Sequence, residues 1–233
     1  VVNEQGDVIG KPTLYLLIDC ATGAIIAFYL TIQAESEETF LRLLEMAFMP
    51  RDERFLQRFG VKQALPAPAL WHKMCGDNSA AHHGQGMYHA LWYLGVANEF
   101  SQAGKPQTHP YVERTHGSMK TGLIKKLCGA NLSEEVLEND PEGRALREAA
   151  LTLPQLEKLV ARWICDVYMN RPLDRLTWRF GYRCSPRQAM NELTKIYPLI
   201  PPPTPEEFRE ACLQYRSKKV ALTNKGVTFE TFQ

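Results

Sequence analysis

The sequence predicts an α/β domain in which two strands and a helix are followed by alternating strands and helices. Two segments, Pro12 to Asp19 (PTLYLLID) and Ala24 to Gln33 (AIIAFYLTIQ), are nearly continuous runs of apolar, β-branched and aromatic residues joined by the turn Cys20-Ala21-Thr22-Gly23. That composition predicts central strands of a covered sheet. Phe40, Leu43, Leu44, Ala47 and Phe48 then recur at the helical period, one apolar stripe on one face. A further strand, near Ala69 to Cys75, runs into Gly76-Asp77-Asn78 and precedes a short helix and another strand.

The elements follow in order from local signals. Ser36 caps the first helix, Glu37 and Glu38 fill its first turn, and Pro50 closes it. A helix is expected around Met87 to Leu94 and a strand near Val96 to Ser101. The loop 102–107 leads to a helix with Pro110 in its first turn, its stripe Val112, His116, Met119, Leu123 and Leu127, its adjacent row Glu113, Gly117, Lys120 and Ile124. After an acidic, solvated stretch from Glu134 to Glu142, a stronger helix starts at Pro154 with Leu156, Leu159, Val160, Trp163, Ile164, Val167 and Tyr168 in register and ends before Pro172. Capping boxes stand at Ser185-Pro186-Arg187-Gln188 and Thr204-Pro205-Glu206-Glu207. Between them, five prolines in the eight residues 198–205 read as a semi-rigid linker. After a helix carrying Phe208, Cys212 and Tyr215, the tail Lys219 to Phe232 reads as a hairpin turning at Asn224-Lys225-Gly226, and hence as the start of a β domain.

Composition bounds the function. The 233 residues are 45% hydrophobic and 23% charged, ordinary globular values that exclude disorder, collagen and coiled coil. The longest apolar run, Ala24 to Leu30, is short of the roughly 18 to 20 residues of a membrane span. No signal peptide is visible at Val1-Val2-Asn3-Glu4, and six singly spaced cysteines read as free thiols in a reducing cytoplasm. A net charge of +1 does not announce nucleic acid, so any such surface must come from local segregation. Two basic clusters offer it: Lys105, Arg114, Lys120, Lys125 and Lys126, and Arg162, Arg171, Arg175, Arg179, Arg183 and Arg187. His72, Cys75, His82, His83 and His89 do not read as zinc ligands, because positions 72 and 75 face opposite sides of a strand and no second cysteine pair exists. Trp163 and Trp178 read as core.

Asp77 follows directly from a strand and Glu113 lies in the first turn of a helix one βα unit later, with 35 residues between them. Carboxylates at a strand end and a helix start can converge on one sheet edge, the arrangement that holds divalent metals over a phosphodiester. Alone, an Asp-Asn after a strand is a plain turn and a first-turn Glu complements the helix dipole. It is their joint spacing, in the context Pro110-Tyr111-Val112-Glu113-Arg114, that favours the metal reading. No Ser-His or Cys-His constellation suggests covalent catalysis.

With the downstream Tyr168-Met169-Asn170-Arg171-Pro172 and Ser185-Pro186, these motifs resemble the DDE transposase and retroviral integrase superfamily. The Gly10-Lys11-Pro12 entry and the late hairpin are most similar to the TnsB and phage Mu transposase branch. The resemblance implies an RNase H-like (integrase core) mixed sheet flanked by helices over residues 1–130, its first strand truncated. It further implies a helical extension over 131–197, a proline-rich linker over 198–205, and a linker helix with the start of a small C-terminal β-barrel over 206–233. Two successive phosphoryl transfers are implied: 3′-end cleavage of transposon DNA, then joining to target DNA. The cofactor would be two Mg²⁺ ions, with Mn²⁺ able to substitute, held by Asp77, Glu113 and a first Asp expected upstream of Val1. Asp19 is the alternative for that Asp, although Pro12 to Asp19 matches the family's second strand. Lys120 takes the place of a DNA-contacting lysine. Implied partners are transposon-end and target DNA, further copies of the chain on paired ends, and a target-selecting ATPase; the implied setting is the bacterial cytoplasm, acting at the nucleoid. Rival readings are a non-catalytic DNA-binding or assembly subunit of the same fold and a related RNase H-like nuclease.

Overall fold

The computed structural model describes residues 1–76, 85–100, 110–127 and 148–213. Strands β1 (Thr13–Ile18) and β2 (Ile25–Thr31) pair antiparallel, Thr13 opposite Thr31 and Ile18 opposite Ile25. Ile25, Ala27, Phe28 and Leu30 of β2 are buried, whereas β1 is only partly covered. The expectation of two fully covered strands therefore holds for β2 alone. Before β1, Val2 bridges antiparallel to Val8 and parallel to Thr152, and the Ile9 amide donates to the Val1 carbonyl at 3.0 Å. Residues 1 and 2 thus run as extended chain against the lead-in to β1.

Helix α1 (Glu37–Phe48) forms as its pattern predicts. The Ser36 hydroxyl accepts from the Thr39 amide, and Phe40, Leu43, Leu44, Ala47 and Phe48 are buried against β2. Each of the Phe and Leu burials is worth about 1.5 to 3 kcal/mol, which stabilises a strand pair that would be marginal alone. Arg51 then ties the end of α1 to the sheet, donating to the carbonyls of Ile26 and Ala47 at 3.0 and 3.3 Å. Burial pulls its guanidinium down to about 10, so it stays cationic at neutral pH. Helix α2 (Glu53–Phe59) is absent from the sequence reading. It has seven residues and buries only Phe55 and Phe59, too few to show a period, and is set by the Asp52 cap and the left-handed Gly60. Phe59 meets Phe28 edge-on at 5.4 Å.

Strand β3 (Lys73–Gly76), helix α3 (Gln85–Tyr93) and strand β4 (Ala97–Phe100) make a βαβ unit with parallel strands, Lys73 opposite Ala97. Glu37, in the first turn of α1, accepts from the Met87 amide at 2.6 Å and caps α3 from a distance. Among the described residues the strands form two separate pairs, β1-β2 and β3-β4.

Helix α4 (Pro110–Gly122) follows, ending in a tight turn, Ile124–Lys126. Helix α5 (Leu153–Arg162) starts at a capping box between Thr152 and Gln155. The single long helix expected from Pro154 instead widens over Trp163–Val167 and tightens over Tyr168–Asn170. Trp163, Ile164, Cys165, Tyr168 and Met169 are all buried, a wider apolar surface than the stripe of a regular helix, and the ladder rewinds where it must present them. Helices α6 (Asp174–Phe180), α7 (Pro186–Ile196) and α8 (Pro205–Leu213) complete the described chain. Both predicted capping boxes form, at Ser185 with Gln188 and at Thr204 with Glu207. The proline-rich segment before α8 lies along the domain. The Leu70 amide donates to the Ile200 carbonyl at 3.0 Å, Phe208 packs edge-on against Phe48 at 5.5 Å, and the Tyr93 hydroxyl donates to Glu210 at 2.9 Å. The acidic stretch and the hairpin of the β-barrel reading lie outside the described residues. No described helix is long and apolar enough to cross a membrane.

Candidate nucleic-acid and metal site

Helix α4 carries three of the seven predicted site residues, Glu113, Arg114 and Lys120. Thr115 and Met119 are buried, Val112 and His116 half-buried, and Glu113, Arg114, Gly117 and Lys120 exposed. The stripe read from the sequence faces inward at Val112, His116 and Met119, joined by Thr115, which it did not include; of the adjacent row Glu113, Gly117 and Lys120 are exposed and Ile124 is half-buried. Burial pushes the His116 imidazole below its ordinary range. Lys125 and Lys126 are exposed in the turn after the helix. Glu113 is exposed and forms no hydrogen bond or ion pair with another described residue. Asp77, the residue after the last of β3, and Lys105 lie outside the described residues, and so does the distance between Asp77 and Glu113.

A hydroxyl network fixes the first turn of α4. The Thr115 hydroxyl donates to the Tyr111 carbonyl at 2.8 Å and lies 3.1 Å from the Tyr168 hydroxyl, which donates to the Gly23 carbonyl at 3.0 Å. Each hydroxyl has one proton, so the Thr115–Tyr168 contact forms in exchange with one of the two carbonyl bonds. Burial pushes the Tyr168 phenol up, with the Thr115 hydrogen bond opposing, and it remains protonated at neutral pH. Below it the Trp163 ring stacks on Tyr168 with centroids 5.4 Å apart. The last residue of α4 is Gly122, where a Cβ would lie 2.9 Å from the Trp163 indole nitrogen. The glycine lets the helix approach the indole.

Four arginines of the second basic cluster also hold the fold together. Arg175 lies 4.5 Å over the Tyr111 ring and donates to the Cys20 carbonyl at 3.3 Å, and Arg179 donates to the Ala21 carbonyl at 3.1 Å. Arg187 donates to the carbonyls of Ala64 and Cys165 at 2.9 and 3.0 Å, and Arg162 to that of Gly60 at 2.9 Å. These four guanidinium groups bind main-chain carbonyls; Arg162, Arg171, Arg179 and Arg183 are exposed. In consequence α6 clamps the β1–β2 turn to the first turn of α4, two residues before Glu113.

Asp19 sits directly after β1, as expected, and its carboxylate accepts from the amide and hydroxyl of Thr22 at 2.8 and 2.5 Å. Burial pushes the neighbouring Cys20 thiol up, with the charges of Asp19 and Cys75 adding to it. His72 and Cys75 are both exposed, and among the described residues no three His, Cys, Asp or Glu side chains gather as a metal site. Trp163 is core, as read. Trp178 is not: it is 88% exposed, because α6 buries only Leu176 and the indole projects from the other side.

Residues 1–129 match the family described as the TnsB C-terminal domain. The chain belongs to the TnsB C-terminal domain family. Membership places it within the DDE transposase and retroviral integrase superfamily. The TnsB-type match takes in Asp19, Asp77, Glu113 and the five cations Lys105, Arg114, Lys120, Lys125 and Lys126, and ends before α5. No curated protein matches. Among solved structures, the catalytic core domain of BIV integrase is 14% identical with a TM-score of 0.43, over 78% of this chain and 89% of that one. A chain of the simian T-cell lymphotropic virus intasome, in complex with PP2A regulatory subunit B56 gamma, is 17% identical with a TM-score of 0.47, over 82% of this chain and 52% of that one.

Proposed function

We propose that this TnsB-like chain is the RNase H-like catalytic core of a DNA transposase, cleaving the 3′ ends of transposon DNA and joining them to target DNA. One observation carries the reading: within the family match, Glu113 stands unpaired among the described residues on the outward row of α4, in line with Lys120 and 35 residues after Asp77. Carboxylates are hard oxygen donors and fit Mg²⁺ or Mn²⁺. Asp77 and Glu113 would hold the ions together with a third carboxylate. Bound there, two such ions lower the pKa of the attacking hydroxyl and neutralise charge at the phosphate. The chain itself supplies position. Glu113 projects from a turn anchored by Thr115, Tyr168 and the Arg175–Tyr111 stack, and Lys120, about 10 Å further along α4, would hold a phosphate of the strand in line with it. Lys105, Arg114, Lys125 and Lys126 extend the same positive path. Assembly of several copies on paired DNA ends and recruitment of a target-selecting ATPase belong to this reading.

The test uses the full-length protein with end DNA and Mg²⁺. Asp77→Ala and Glu113→Ala are each expected to abolish strand transfer and to leave end binding within about twofold, because losing a metal ligand removes transition-state stabilisation while the phosphate contacts persist. Joining at near wild-type rate by either variant would overturn the assignment. A wild type that binds ends and never joins them would support the non-catalytic assembly subunit instead.

A further inference from the structure

We propose that α6 and the residues beside it form a second nucleic-acid contact, in which the Trp178 indole stacks on an unpaired base while Arg171 and Arg183 hold flanking phosphates. The proposal rests on the DNA reading above and adds a site to it. Tryptophan is highly buried on average, yet Trp178 is 88% exposed, and Tyr182, just past the end of the helix, is 45% exposed. Residues 171–187 contain five arginines, one aspartate, no lysine and no glutamate. Bare rings beside the exposed cations Arg171 and Arg183 match a polyanion that carries π faces; an apolar protein partner would leave those two cations unpaired on docking.

Position supports the same occupant. Arg175 and Arg179, on either side of Trp178, are fastened to the carbonyls of Cys20 and Ala21, and Arg175 also covers Tyr111. The indole is therefore carried on a rigid element. It lies about 4.5 Å along the helix axis from an arginine that touches the turn bearing Glu113. Inside a duplex each base face is covered by its neighbours, so an indole standing out from a surface stacks best where a nucleotide is unpaired, its second choice being the outer face of a terminal pair. The strand that reaches Glu113 would present such nucleotides to α6. Trp92 provides the control: it is 70% exposed on α3, but residues 85–100 contain no arginine or lysine.

The experiment measures binding of the full-length protein, at fixed salt, to a duplex with a five-thymidine 3′ overhang and to the same duplex blunt-ended. Trp178→Ala is expected to weaken overhang binding about tenfold, the scale of one lost base stack, and blunt binding little. Trp178→Phe should keep most of the overhang affinity and Trp92→Ala all of it. Unchanged overhang binding by Trp178→Ala, or an equal loss on both duplexes, would overturn the proposal. So would a drop in the oligomeric state of the DNA-free protein on the same substitution, which would make Trp178 a contact between copies. Failure of the wild type to bind either duplex would instead refute the DNA reading on which the proposal stands.

Discussion

The carboxylate of Asp19 accepts two hydrogen bonds from Thr22, whereas that of Glu113 stands on an outward helix row. The two groups share their chemistry and differ in their described partners. Lys120 lies on the row of Glu113 and is exposed. Lys120→Ala is expected to lower the slope of log K against log salt for end DNA by about 1, the signature of one lost phosphate contact; an unchanged slope would make it a solvated surface lysine. Residue roles set by near neighbours were legible in the sequence. Ser36, Ser185 and Thr204 each cap the helix they begin, because a cap partner lies three residues away. The arginines were not legible. Arg187 finds the carbonyl of Ala64 and Arg175 that of Cys20, partners more than a hundred residues distant, and composition alone reads such a cluster as a surface for phosphates. Trp178 misled for a related reason: the average burial of its type says nothing of a helix that buries one side chain.

At the scale of elements, the β1–β2 turn holds more than its two strands. Gly23 sits at φ +72°, offers its carbonyl to Tyr168, and would set any Cβ against the guanidinium of Arg175. Gly23→Ala is therefore expected to cost about 1 to 3 kcal/mol, from left-handed strain and from displacement of Arg175, read as a lower urea midpoint. Because the same guanidinium steadies Tyr111, strand transfer should fall further than folding does under conditions where the variant remains folded. A cost no larger than that of Gly181→Ala would show that the clamp adds nothing: Gly181 also has positive φ but open space around its Cα. Sequence periodicity located α1 by its several buried positions at helical spacing and α4 by a longer apolar stripe, Val112 to Leu127. It missed α2, with two, and the rewinding of the ladder after Arg162, where packing overrides the regular period.

Over the whole molecule, the segment 198–213 decides whether α8 belongs to this domain. Five prolines in eight residues describe an extended chain, and an extended chain may equally tether two bodies or lie along one; composition does not separate the cases. Contacts do. Ile200 bridges to Leu70, the Tyr93 hydroxyl reaches Glu210, and Phe208 sits edge-on to Phe48, which is itself stacked on Trp71 at 5.3 Å. Were the segment a free tether, Phe208→Ala would leave the unfolding of the domain untouched. Docked as observed, the half-buried ring contributes packing, and its removal is expected to destabilise the domain by about 1 to 2 kcal/mol, below the full cost of emptying a core phenylalanine site. Tyr93→Phe, which removes one hydrogen bond at the surface, should cost about 0.5 kcal/mol or less. Urea unfolding measures both: a lower midpoint at unchanged slope for Phe208→Ala places α8 in the cooperative unit of the core, and a midpoint equal to wild type would return the segment to the role of a linker.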